Sequence, residues 1–511
     1  MLPGIFIDIG CGSIPFLVPQ KCSLTLLQQT IMSDANNRMK CLVLLLAIPT
    51  VAFAAPGLTI YNQNFAVVRD TIPLDLKAGV NDVIFEGATA QLEPDSVILR
   101  DPQGRPISIL EQNYRNDPVT QSLLLSLFEG KEIDFFVREV NKPDRIVRGK
   151  VIRSGYGQPG EASQPVIEVD GKIQFGLPGS PVFPSLGDDT ILKPRLAWKI
   201  NASKPLQTDA ELGYVTGGLS WSASYNLVAP EKGDIIDFVG WITMQNQSGR
   251  TFEDAKIKLL AGDVNKIQPV MAGLAMPRPV TMAAPVMDES AVSEKAFDEF
   301  HLYTLGRPTT LRDRETKQVE FVRASGVKSE TIYVYDGLGL MRQGFVSGMV
   351  GDNPNFGTQS NTKVAVLREF KNSKENNLGI ALPKGRVRFY RTDGTNLEFI
   401  GENEIDHTPA DEIIKLKTGD AFDIVGERKR TDFKVNTSNK WADESFEIEL
   451  RNRKKEAVTV RVIEHLMRWT NWKITANSDD FTKLNSDQIE FRIALKPGEE
   501  RKVTYTVHYT W

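Results

Sequence analysis

Near its C-terminus the chain alternates apolar and polar residues with a strict period of two. In QIEFRIALKPGEERKVTYTVHYTW the apolar positions are Ile489, Phe491, Ile493 and Leu495, then Val503, Tyr505, Val507 and Tyr509 beyond a Pro497-Gly498 turn. SFEIELRNRKKEAVTVRVIEHL repeats the design: Phe446, Ile448 and Leu450, a charged turn, then Val458, Val460 and Val462. A strand sends successive side chains to opposite faces, so this period means strands with one buried face, as in antiparallel sheets. Two such segments predict two hairpins in a β-sandwich of immunoglobulin type without its disulfide. Tyr505 and Val507 are expected in the core, with Thr506 and His508 facing water.

The same signal recurs upstream. VIEVDGKIQF reads as a hairpin around Asp170-Gly171, with Ile167, Val169, Ile173 and Phe175 on one face. Together with EIDFFVREV and IVRGKVIRSG it predicts a small barrel-like part over 131–190. One helix is expected over 118–129, capped by Asp117, with Pro118 in its first turn and Gly130 ending it. In GLSWSASYNLV, Trp221, Ala223, Tyr225 and Leu227 form the core face of a strand. The fold class is therefore mainly β: several antiparallel β-sandwiches, an immunoglobulin-like C-terminal domain and a small barrel-like insertion. Residues 267–290 hold four Met and four Pro among small residues, which suits no regular element. The division expected is a β-rich region 55–265, a Met/Pro/Ala-rich linker 266–300 containing a short helix in AVSEKAFDEF, a β-rich region 301–430 and a sandwich 431–511.

Residues 1–54 read as a leader that is absent from the mature protein. MKCLVLLLAIPTVAFAAPG begins at Met39: a lysine, an apolar run from Cys41 to Ala55 too short to span a bilayer, and Ala52-Phe53-Ala54 in the small-x-small pattern of a signal peptidase site. Met39 or Met32 is the expected start, and cleavage falls between Ala54 and Ala55. All three cysteines (Cys11, Cys22, Cys41) precede the cut, so the mature chain has no thiolate nucleophile or ligand. The expected location is periplasmic or secreted, with no transmembrane segment after cleavage. A net charge of −4 without a long basic run argues against nucleic acid as partner.

Chemistry-bearing residues are sparse. The four histidines, His301, His407, His465 and His508, do not fall at metal-ligand spacing. Met271, Met276, Met282 and Met287 have the softness for Cu(I) but lack a His or Cys to complete a site, so neither metal nor cofactor is expected. Glu402, Glu404 and Asp406 alternate in GENEIDHTPADE, with neighbouring Cα atoms about 6–7 Å apart on one strand face. That separation resembles an inverting glycosidase pair, yet such a pair must flank a sugar bond rather than stand on one strand. A solvated face accounts for them better. In RWTNWKI, Trp469 and Trp472 are three apart, which in a strand turns one of them outward as a binding surface.

Several blocks resemble a known family: YVTGGLSWSASYNL (214–227), GWITMQNQSGRTFEDAKIKLLAGDVN (240–265), LGIALPKGRVRFYRTDG (378–394), FIGENEIDHTPADE (399–412) and LKPGEERKVTYTVHY (495–509). From about Leu58 onward, and most strongly over 191–511, the chain is similar to the bacterial exported proteins grouped as domain of unknown function 4139, related to mucoidy-inhibitor-type proteins. The resemblance implies a β-rich protein in an envelope setting and brings no catalytic residues. The expected function is binding or scaffolding of an envelope polysaccharide or protein, at Trp469, Trp472, Glu402, Glu404 or Asp406. The rival expectation is a hydrolase of a surface glycan, with carboxylates gathered by the fold.

Overall fold

The computed structural model describes residues 55–511 except 139–142, 157–163, 187–189, 263, 267–291, 298, 339–353, 355 and 359. The described residues belong to one compact unit and are mainly β. Its plan is a sandwich built twice.

In the N-terminal sandwich, β1 (Gly57–Tyr61) and β2 (Phe65–Leu76) form a hairpin. A long insertion follows, with β3 (Gly79–Phe85), β4 (Ile98–Arg100), β5 (Ser108–Arg115), helix α1 (Gln121–Leu127), β6 (Glu132–Val137), β7 (Arg145–Arg153), β8 (Val166–Val169), β9 (Lys172–Phe175), β10 (Ser180–Val182) and β11 (Arg195–Ala202). The sandwich resumes with β12 (Leu206–Gly217), β13 (Leu219–Ala229), β14 (Ile235–Asn246), β15 (Phe252–Ala261), β16 (Val292–Phe297), β17 (Phe300–Leu305), β18 (Thr309–Leu311) and β19 (Thr316–Lys328). The C-terminal sandwich opens with β20 (Glu330–Asp336) and β21 (Lys363–Lys371), carries β22 (Gly385–Asp393) and β23 (Asn396–Ile405) as its insertion, and continues as β24 (Ile413–Asn436), β25 (Trp441–Asn452), β26 (Val458–His465), β27 (Asn471–Asn477), β28 (Phe481–Lys483), β29 (Gln488–Leu495) and β30 (Glu500–Thr510).

The two sandwiches match strand for strand. One sheet of the first runs β16-β17-β15-β1-β2-β12, and β13-β14-β19 lie in the other. In the second, β28-β29-β26-β20-β21-β24 continues directly into β24-β25-β30-β27. β1 pairs with β15 in parallel, as β20 does with β26. The switch between layers differs. Gly218, at φ +77°, divides β12 from β13, whereas β24 runs through as one long strand with a bulge between Asp420 and Val425. The nine-stranded sheet curls onto itself, because Phe491 on β29 and Tyr505 on β30 have ring centroids 5.8 Å apart although their strands lie near opposite ends of the order.

The C-terminal alternation buries the residues expected, from Phe446 through Tyr509, but the two hairpins do not exist. β25 pairs with β24 and β30, while β26 pairs with β20 and β29; both tight turns are arches that carry the chain from one layer to the other. Alternation fixes the face a residue presents, and the partner strand is a separate matter. Asn452 ties the two arches together, its side-chain amide donating to the carbonyls of Glu456, Leu495 and Lys496. Asn246 does the same in the first sandwich, to Arg250, Leu311 and Arg312.

Other expectations change as well. The 431–511 boundary falls inside β24, so the C-terminal sandwich begins near 330. The 266–300 segment does not separate two domains: AVSEKAFDEF contains strand β16, not a helix, and β17 beyond it pairs with β15 before it. Residues 267–291, with Met271, Met276, Met282 and Met287, lie outside the described residues. β22 pairs in parallel with β13, so the insertion of the second sandwich completes a sheet of the first. Helix α1 is shorter than expected and capped by the Thr120 side chain, while Asp117 pairs with Arg115.

The 131–190 part is an open sheet, ordered β10-β6-β7-β8-β9, rather than a barrel. α1 covers one face, where its Leu125 and its C-cap Phe128 pack with Ile133, Phe135, Val151 and Ile167. Asp170-Gly171 forms the hairpin turn with both residues at positive φ. A two-residue turn sets Val169 opposite Lys172, so Ile173 pairs with Glu168 and points away from Ile167. The four apolar residues read as sharing a face are thus split between two.

Candidate functional site

The acidic ladder is matched by a basic one. β22 sets Arg386 opposite Glu404 and Arg388 opposite Glu402. Glu402 lies 3.6 Å from Arg388 and 3.9 Å from Arg386, and Lys384 lies 3.5 Å from Glu404 and 3.3 Å from Asp406. Bonding to Asp406 and the nearby Glu404 raise the Lys384 ammonium above its ordinary value. Opposite charges paired across an exposed sheet face form a solvated ladder, which is a structural arrangement.

Trp469 and Trp472 belong to a different sheet from the ladder. Trp469 lies before β27 and stacks on Trp511 at 3.8 Å, with Tyr509 edge-on at 5.8 Å. Trp472 donates its indole N–H to the Ser486 carbonyl at 2.7 Å and carries Lys483 over its ring. Both pack half-buried against the C-terminal core, so neither offers the free ring expected of a stacking platform. His508 is also not simply solvated. Its Nδ1 lies 2.6 Å from Asp443, and its ring stacks on Trp441. Ala55 is exposed; Ala54 lies outside the described residues.

Two features escaped the sequence reading. The first is a buried charged network inside the C-terminal sandwich. Glu464 on β26 accepts two bonds from Arg428 Nε, at 2.8 and 3.0 Å, and one from the Tyr505 hydroxyl at 2.5 Å. Arg428 also lies over the Phe446 ring at 3.9 Å. Burial alone would lower the Arg428 pKa, but Glu464 and Tyr505 hold it above the ordinary guanidinium value. Burial, and then Glu464, push the Tyr505 phenol well above its ordinary value. Beside this triad, Glu444 lies 2.7 Å from Arg468 and 3.4 Å from Arg430. The signal was present: Glu464 follows Val458, Val460 and Val462 at the next inward position.

The first sandwich contains its own comparison. Arg428 faces Ile448 in the register in which Ala223 faces Ile242, and Arg430 faces Phe446 as Tyr225 faces Gly240. Following inward positions from Phe252 and Val458, Leu259 stands where Glu464 does. Phe238 stands where Glu444 does, and the bulged pair Phe321-Val322 lies opposite Gly240 where Tyr505 lies opposite Phe446. Ala223, Leu259, Phe321 and Phe238 are all buried.

The second feature is the outer face of the β6–β10 sheet. Register places Phe136, Ile146, Ile173, Phe175 and Val182 on the side away from α1. Ile146, Ile173 and Phe175 are 67%, 65% and 76% exposed. Asp134–Arg148 and Glu132–Lys150–Glu168 form a charged belt between these apolar ends.

Among the described residues, no helix is long and apolar enough to cross a membrane, and no group of three or more His, Cys, Asp or Glu could hold a metal ion. A search of curated proteins gave no match. The paired β12–β30 framework coincides with a family whose members are recognised by sequence, described as Domain of unknown function (DUF4139), which matches residues 210–511. On that match the chain belongs to the DUF4139 family.

Proposed function

We propose that this is an exported bacterial protein that binds or scaffolds a component of the cell envelope, in the periplasm or outside the cell, without turnover. The outer face of the β6–β10 sheet carries the reading: Phe175, Ile173 and Ile146 stand exposed on a sheet whose other face has its own core. The Met39–Ala55 segment supports export. Purified 55–511 is incubated with cell-wall, exopolysaccharide and membrane-protein fractions, and retention is compared with that of a Phe175→Ser/Ile146→Ser variant. Retention should fall by about tenfold in the variant, as loss of a buried aromatic anchor does at interfaces. New reducing ends or released peptides would replace this reading with the hydrolase. N-terminal sequencing of the native protein should read Ala55-Pro56-Gly57.

A further inference from the structure

The N-terminal sandwich packs with Ala223, Leu259, Phe238 and the bulged pair Phe321-Val322 where the C-terminal one keeps Arg428, Glu464, Glu444 and Tyr505. The strand plan therefore does not need buried charge, and buried ion pairs in general add little over apolar side chains of similar size. A second difference accompanies the first. Residues 62–64 join β1 to β2, whereas residues 337–362 join β20 to β21. The charged side chains meet the described part of that longer connection. Arg428 Nη1 donates to the Gly357 carbonyl at 2.5 Å, and its backbone N–H donates to the Ser360 hydroxyl at 2.9 Å. Arg468 donates to the Phe356 carbonyl at 2.9 Å, and Arg430 donates to the carbonyls of Phe356 and Pro354. Arg468 also sits over the Phe356 ring. Gly337 at the start of the connection is packed against Arg428, with no room for a Cβ.

We infer that the buried network is an anchor for the β20–β21 connection and not a support for the sandwich core. Each arginine has two tasks. Its carboxylate partner, Glu464 or Glu444, compensates its charge and fixes its plane, and its remaining N–H groups then hold main-chain carbonyls of the connection. A guanidinium suits this role because its donors diverge in a fixed fork. Tyr505 supplies the third bond that locks the Glu464 carboxylate.

The test replaces the charged triad by apolar side chains of similar size. In the whole chain, Arg428→Met, Glu464→Leu and Tyr505→Phe are combined, and amide hydrogen exchange is followed by residue. The expected result is a folded protein in which Phe356, Gly357 and Asn361 exchange about tenfold faster while β25 and β30 keep their rates. Unchanged exchange at those three residues overturns the inference. If the triple variant does not fold, Glu464→Gln decides: acceleration greater in the connection than in β25 and β30 supports the anchor, and equal acceleration, or none, overturns it.

Discussion

Glu464 occupies a position where the alternation of its strand asks for a fourth apolar side chain, and no rule of periodicity supplies its partners. Arg428 lies 36 residues away in sequence and Tyr505 lies 41 away, on strands that only the curl of the sheet brings near. A charge in an inward phase was thus legible, while its compensation was not. The acidic ladder shows the reverse. Glu402, Glu404 and Asp406 alternate legibly in the sequence, and the structure adds the basic strand that balances them. Removing Glu464 alone, as Glu464→Leu, leaves Arg428 buried with its carboxylate gone, and should cost about 3–5 kcal/mol in urea unfolding. Val507→Asp, which places a charge at a fully buried position, should also cost several kcal/mol. The buried tyrosines set an alkaline limit. Burial pushes Tyr214 and Tyr335 up to about 12, so the native chain holds these protons more tightly than the unfolded one. Their contribution is complete below the ordinary value of 10.0 and is lost as pH rises through about 12. In a pH titration, their phenolate absorbance should appear together with loss of the β-sheet circular dichroism signal.

At the scale of elements, the burial of strands was legible and their pairing was not. Both C-terminal turns look like hairpin turns because they are short and charged, yet each connects two layers. What distinguishes an arch here is a buried asparagine at the strand end, Asn246 or Asn452, bonding three carbonyls across the neighbouring turn. Asn452→Ala leaves those carbonyls without that donor and should lower stability by about 1–3 kcal/mol, measured by chemical denaturation. The β8–β9 hairpin gives the complementary lesson. Its turn was identified correctly, and the turn length itself dictates that Ile173 and Phe175 leave the core face. Trp469→Ala should destabilise the C-terminal sandwich, since the ring stacks on Trp511 and meets Tyr509. A thermal melt should show a lower midpoint without loss of the β6–β10 sheet.

Over the whole molecule, the class was legible because the alternation repeats, but the duplication was not, because insertions of different length interrupt the two copies. The cores tell the same story: one continuous cluster runs from Leu58 to Leu416, so residues past 330 help to bury the first sandwich. Limited proteolysis within 267–290 should therefore nick the chain without separating it. Under native conditions both pieces should elute together in gel filtration, held by β15–β17 and β13–β22 pairing. Two fragments that part in native buffer would contradict the shared sheets. The β13–β22 pairing also orders events in time. A nascent chain emerges N-terminus first, and β13 is complete long before Gly385–Asp393 has been made. Until then β13 presents a bare strand edge, the kind of surface on which chains aggregate. The first sandwich, although it comes first, cannot finish until the second is well under way, and a cell making this protein must shield that edge during the interval.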